Sequence, residues 1–153
     1  MESNGRTEFL TSFDALAQAV RRARGSAASN GGLTLSQYGL LEGLSTRPVA
    51  RVQELAGDAG ITPSTATRIL DALERRGIVR RVRSLEDRRA VAVSLTDVGR
   101  DLLGDQQEWL RGRQRAFYES LPPAEQELAP DLLLRLAALI DELAAGPASE
   151  QHA

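Results

Sequence analysis

Residues 52–95 read VQELAGDAGITPSTATRILDALERRGIVRRVRSLEDRRAVAVSL, and the order of signals in this stretch decides the fold. Val52 to Ala59 is a short helical run stopped by Gly60, and the turn Gly60-Ile61 leads at once into a second helix. Thr62 is the N-cap of that helix and Pro63 its first residue. A threonine oxygen there accepts an otherwise orphaned backbone N–H, and proline lacks an N–H that nothing would have satisfied. Ile61, Ala66, Ile69, Leu70 and Leu73 point inward at helical spacing, and Gly77 supplies the left-handed residue that ends such helices. Two short helices across a tight glycine-containing turn predict a helix-turn-helix. Beyond Gly77 the apolar period falls from 3.6 to 2. Segments 78–83 and 90–95 are β-prone, with Val91, Val93 and Leu95 alternating with small residues, and the polar 84–89 between them is a hairpin tip.

The flanks are helical. Phe9, Phe13, Leu16 and Val20, widened by Leu10 and Ala17, make one face of a helix over 6–24, and 25–32 is a loop by composition. Thr34 and Gln37 form a capping box, with Leu33 and Tyr38 at the staple positions, and Leu40, Leu41 and Leu44 continue the apolar face. Thr96 caps a long helix to about Ser120, carrying Leu102, Leu103, Trp109, Leu110, Phe117 and Tyr118. Pro122-Pro123 breaks it and starts a last helix, where Leu128, Leu132, Leu133, Leu136, Leu139, Ile140 and Leu143 recur up to Gly146-Pro147. Pro130 sits inside that pattern and is expected to kink the helix or delay its start. The fold class expected is mainly α with a small β-hairpin: a winged helix-turn-helix core over about 34–96 within one domain, 6–145. Residues 146–153 are expected to be a disordered tail.

Composition removes most chemistries. The chain has 153 residues, close to the ~150 of one domain. It is 42% apolar and 26% charged, as a soluble globular protein is, and no apolar run of about 18 residues allows a membrane span. No signal-peptide pattern opens the sequence, so a cytoplasmic protein is expected. Cysteine is absent, and the single histidine is His152, next to the last residue. A zinc hydrolase, a Ser-His-Asp triad, a Cys-His pair and a peroxide-sensing thiolate are thereby excluded, and neither a cofactor nor a His/Cys metal site is expected. Carboxylate catalysis needs acids converging in a pocket, and the acids here are scattered. An enzyme is not expected.

The charge is unevenly placed. Formal net charge is −2, yet residues 47–89 hold ten arginines against six acids, which makes that segment +4 and the remainder −6. Every basic residue is arginine, so arginine as such reflects composition, but its clustering does not. A basic centre in a chain whose remainder is net acidic is the footprint of one polyanion-binding segment.

The run Ile61 to Leu70, the following Leu73-Glu74-Arg75-Arg76-Gly77-Ile78-Val79, then Asp87-Arg88-Arg89 and Ser94-Leu95-Thr96 resemble the MarR family of bacterial transcription regulators. Asp87, Arg89, Leu95 and Thr96 fit the family's wing pattern of Asp-x-Arg followed by Leu-Thr. The flanking helices match in number and order as well. The resemblance implies a homodimer formed by intertwined N- and C-terminal helices (about 6–28 and 97–145), reading an inverted repeat of duplex DNA, usually as a repressor.

Candidate residues follow from both readings. The second helix of a helix-turn-helix meets base edges with its N-terminal residues. Pro63, Ser64, Thr65, Thr67 and Arg68 stand there, Arg68 suited to the two acceptors of a guanine. Ser64 and Thr65 serve equally well as first-turn residues supporting a cap. In the wing, Asp87, Arg88 and Arg89 are either a solvated salt-bridged turn or a minor-groove contact, and the resemblance assigns Arg89 to the groove and Asp87 to holding the wing. Arg47, Arg75, Arg81 and Arg83 are candidates for phosphate contacts. The resemblance also implies release of DNA by a small, often aromatic, anion, for which Phe13, Tyr38 and Trp109 are candidate pocket residues or else ordinary core aromatics. The rival function is a winged-helix module that binds an acidic protein without reading DNA.

Overall fold

The computed structural model describes residues 2–26, 32–83, 87 and 91–146. Within them, helices begin where capping side chains place them. Helix α1 spans Glu2–Gly25 and α2 spans Leu35–Thr46. Gln37 N–H donates to Thr34 Oγ1 at 3.1 Å, and Thr34 N–H donates back to Gln37 Oε1 at 3.0 Å, which completes the capping box. Strand β1 (Ala50–Arg51) precedes α3 (Val52–Ala59), which ends at Gly60 with φ 66°. Helix α4 (Pro63–Arg75) starts from Thr62, whose Oγ1 accepts Thr65 N–H at 3.3 Å. At its end Gly77 adopts φ 72°, and Ile78 N–H donates to Leu73 O at 2.9 Å, turning the chain into β2 (Val79–Arg83).

Strand β3 (Val91–Leu95) pairs antiparallel with β2, from Val79 opposite Leu95 to Arg83 opposite Val91. Its other edge takes β1, with Ala50 opposite Val93, so the sheet order is β1-β3-β2. That third strand is absent from the sequence reading, because two residues are too short to show a period of 2. Helix α5 (Asp97–Ser120) follows directly. Thr96 Oγ1 accepts Gly99 N–H at 3.0 Å and donates to Ile78 O at 3.1 Å, so one hydroxyl caps the helix and ties it to the start of the wing.

The chain forms two compact units, Met1–Glu108 and Trp109–Ala153. The core of the first unit is built from Leu40, Leu41, Leu55, Ala66, Leu70, Leu73, Ile78, Val93 and Leu103, each all but excluded from solvent. Full burial of one such leucine contributes about 1.5–3 kcal/mol. The second unit holds the end of α5 and α6 (Pro123–Ala145). Pro122 O accepts from Glu125 and Gln126 N–H at 2.9 and 3.0 Å, and α6 then runs unbroken through Pro130. The expected delay of its start does not occur. Pro130 is exposed, and it removes the bond to the carbonyl four residues back while its ring crowds that carbonyl. Helix α1 is also longer at both ends than the apolar stripe suggested. The loop positions 27–31 and the tail 147–153 lie outside the described residues.

Candidate nucleic-acid interface

Helix α4 divides cleanly. Ala66, Leu70 and Leu73 are buried, while Pro63, Ser64, Thr67 and Arg68 are exposed. Thr65 is half-buried, and its hydroxyl accepts from Thr62 Oγ1 at 2.9 Å, so among the candidates it is the one committed to the cap. Ser64 Oγ lies 3.2 Å from Thr62 Oγ1 and belongs to the same hydroxyl cluster, but remains exposed. Thr67 Oγ1 donates to Pro63 O at 2.9 Å. Its proton is thus used within the helix, and the hydroxyl offers acceptor lone pairs and a methyl group outward. Arg68 has no hydrogen-bond or ion-pair partner among the described residues.

The four phosphate candidates separate into two kinds. Arg47 is ion-paired to Asp58 and lies 3.9 Å from Glu54, both on α3. Arg81 is ion-paired to Asp71 and Glu74, both on α4. The hydrogen bond to Asp71, with the charge of both acids against a smaller opposing effect of burial, raises the Arg81 guanidinium above its ordinary pKa. Arg75 and Arg83 are exposed and have no such partner among the described residues. On the opposite face of β2 from Arg81, Arg80 Nε donates to Ser94 Oγ at 3.2 Å, directly across the register. Asp87 is exposed, and Arg88 and Arg89 lie outside the described residues.

Sequence reasoning missed the roles of Asp71 and Glu74. The signal was present: two acids three apart share a helix face, and the glycine turn at Gly77 folds the following strand back towards that face. The three aromatic candidates lie on three different helices, α1, α2 and α5. Phe13 is half-buried and stands 6.3 Å from Phe9 between ring centroids, Tyr38 Oη donates to Glu42 at 3.4 Å, and Trp109 belongs to the second unit with 60% of its surface exposed. A cavity of about 460 Å³ in the first unit is lined by other residues, among them Leu44, Pro48, Leu95, Arg100, Leu103 and Gln107.

An exposed, capped helix start seated on a small three-helix core, with an arginine-bearing hairpin beside it, defines a winged helix-turn-helix protein. A MarR family profile matches residues 33–91. The transcriptional regulator FarR of Neisseria gonorrhoeae is 32% identical over 111 residues, 72% of this chain and 76% of that protein. The transcriptional repressor MdtR of Bacillus subtilis is 31% identical over 93 residues, 61% of this chain and 60% of that protein. Among solved structures, Streptococcus pneumoniae FabT in complex with DNA shares the fold with a TM-score of 0.69 at 23% identity, over 90% of this chain and 96% of that one. The chain belongs to the MarR family of transcription regulators.

Proposed function

We propose that this protein is a cytoplasmic, non-catalytic repressor that binds an inverted repeat of duplex DNA as a homodimer. The observation that carries the reading is the outward face of α4, where Pro63, Ser64, Thr67 and Arg68 are exposed over a buried Ala66-Leu70-Leu73 stripe. In this reading α4 enters the major groove, with Arg68 on a guanine and Ser64 and Thr67 on neighbouring base edges. In the same reading Arg88 and Arg89 of the wing are minor-groove contacts, with Asp87 holding the turn. Arg75 and Arg83 meet phosphates, while Arg47 and Arg81 already serve carboxylates of their own chain.

Control by a small aromatic or anionic effector is part of the proposal. Bordetella bronchiseptica BpsR, a protein of the same fold, has its DNA binding regulated by 6-hydroxynicotinic acid, and Streptomyces coelicolor PcaV is known in complex with its natural ligand. Phe13 and Tyr38 are the aromatic contacts we assign to such a ligand.

Selection of bound sequences from a random duplex pool, followed by salt titration, tests the function. The expected result is an inverted repeat whose log affinity falls linearly with log salt. Equal and poor binding of selected and random duplexes would leave a protein-binding winged helix as the better reading.

A further inference from the structure

We propose that Arg81 is a positioning residue that locks the wing to the recognition helix, so that α4 and the β2–β3 hairpin engage DNA as one rigid part. The inference rests on the DNA-binding reading above and extends it to a residue that touches no nucleotide.

Asp71 and Glu74 are three residues apart on α4, on the face next to β2, and Arg81 is the middle residue of that strand. One terminal nitrogen of Arg81 bonds Glu74 and the other bonds Asp71. A planar fork reaching two separate carboxylates fixes direction as well as distance, which a point charge does not. The strand face that carries Arg81 begins with buried Val79 and ends with exposed Arg83. Val79 fixes the root of the hairpin, and Arg81 adds a second anchor about 7 Å further out at 3.3–3.4 Å per residue. On the opposite face Arg80 bonds Ser94 and ties β2 to β3, so the hairpin moves as one piece. With two anchors along its length, the hairpin loses its freedom to swing against α4.

Charge argues against the simpler phosphate role. One guanidinium with two carboxylates makes a cluster of net −1, in the most basic segment of the chain. Such a cluster repels a phosphate unless Arg81 abandons its partners. Removing the two acids therefore separates the roles. A phosphate-binding Arg81 would be liberated by their loss, and a positioning Arg81 would be disabled.

The test uses the full chain as Arg81→Met, as the double variant Asp71→Asn with Glu74→Gln, and as Arg81→Lys. Each is titrated against the duplex selected by the parent protein and against a scrambled duplex, over a range of salt. Backbone amide exchange is followed in α2, α3 and the hairpin. Both uncharged variants are expected to lose about tenfold in the ratio of selected to scrambled affinity, as for loss of a charge-assisted pair of bonds. Hairpin amides should exchange faster while α2 and α3 stay protected, and Arg81→Lys should recover only part of the ratio. The salt slope of Arg81→Met should match the parent's, whereas loss of a phosphate contact would lower it by about 1. The proposal is overturned if the double variant binds the selected duplex more tightly with the ratio intact, or if hairpin exchange is unchanged in both variants. Should the parent select no duplex at all, the DNA reading falls, and hairpin exchange alone still decides whether the lock exists.

Discussion

Arg68 and Arg83 are both exposed arginines without partners among the described residues, yet they should fail differently when removed. Arg68 stands in the second turn of α4, on the outward face, where a bidentate bond to a guanine discriminates against other bases. Arg68→Ala should weaken the selected duplex by about 1–3 kcal/mol and relax preference at one position of each half-site, read by repeating the selection. Arg83 lies at the outer end of β2 and meets a phosphate in the proposed complex. Arg83→Ala should weaken selected and scrambled duplexes alike and reduce the salt slope by about 1. The same contrast shows how far single residues were legible. The outward direction of Arg68 is legible from helical period, because period fixes which face of α4 it takes. The commitments of Arg81 and Arg47 are not, since each is made with acids on a different element, seven to eleven residues away in sequence. Arg81 keeps its charge across the whole accessible pH range. Its raised pKa stabilises the fold fully below the ordinary arginine value and is lost only above the folded one.

At the scale of elements, the capped helices and the hairpin were legible because each carries its own local signal: Thr34 with Gln37, Thr62 with Pro63, Gly60, Gly77, and alternation in 91–95. What escaped was whatever depends on a neighbour. Strand β1 exists only because β3 offers an edge, and α6 passes Pro130 because neighbouring turns hold the helix around one missing bond. Gly99 is the sharpest case, an unremarked glycine in the first turn of α5. A Cβ there would lie 2.0 Å from Ile78 O and 3.2 Å from Leu95 Cδ2. Backbone cannot yield as a flexible side chain does, so the junction of α5 with the wing must open. Gly99→Ala should therefore destabilise the fold by about 1–3 kcal/mol or more, despite alanine's higher helix propensity, as a lowered midpoint in urea unfolding. A midpoint equal to or above the parent's would show that Thr96 alone holds this junction.

For the whole molecule, the decisive fact is how much apolar surface one chain leaves uncovered. In the first unit α1 exposes Phe9, Leu10, Leu16 and Val20 to about half their area. In the second unit α6 buries nothing, and Leu128, Leu132, Leu133, Leu134, Ile140 and Leu143 stand between 49% and 71% exposed. Scattered single apolar residues on a surface are ordinary, but two helices with apolar stripes at helical spacing are characteristic of an interaction face. A second copy of the chain is the proposed occupant, and covering even part of each residue contributes a share of the ~1.5–3 kcal/mol available per side chain. Charged substitutions on the stripe should then separate assembly from folding. Leu132→Glu combined with Ile140→Glu should yield a monomer in analytical ultracentrifugation, because each carboxylate would otherwise be buried without a partner. The first unit's core, made of other residues, should keep its own unfolding transition. DNA binding should fall further than the loss of one half-site contact set alone would suggest, since two linked lobes bind the second half-site at high effective concentration. A variant that stays dimeric, or a monomer that retains the parent's affinity for the inverted repeat, would remove α6 from the assembly and with it the reason for a symmetric operator.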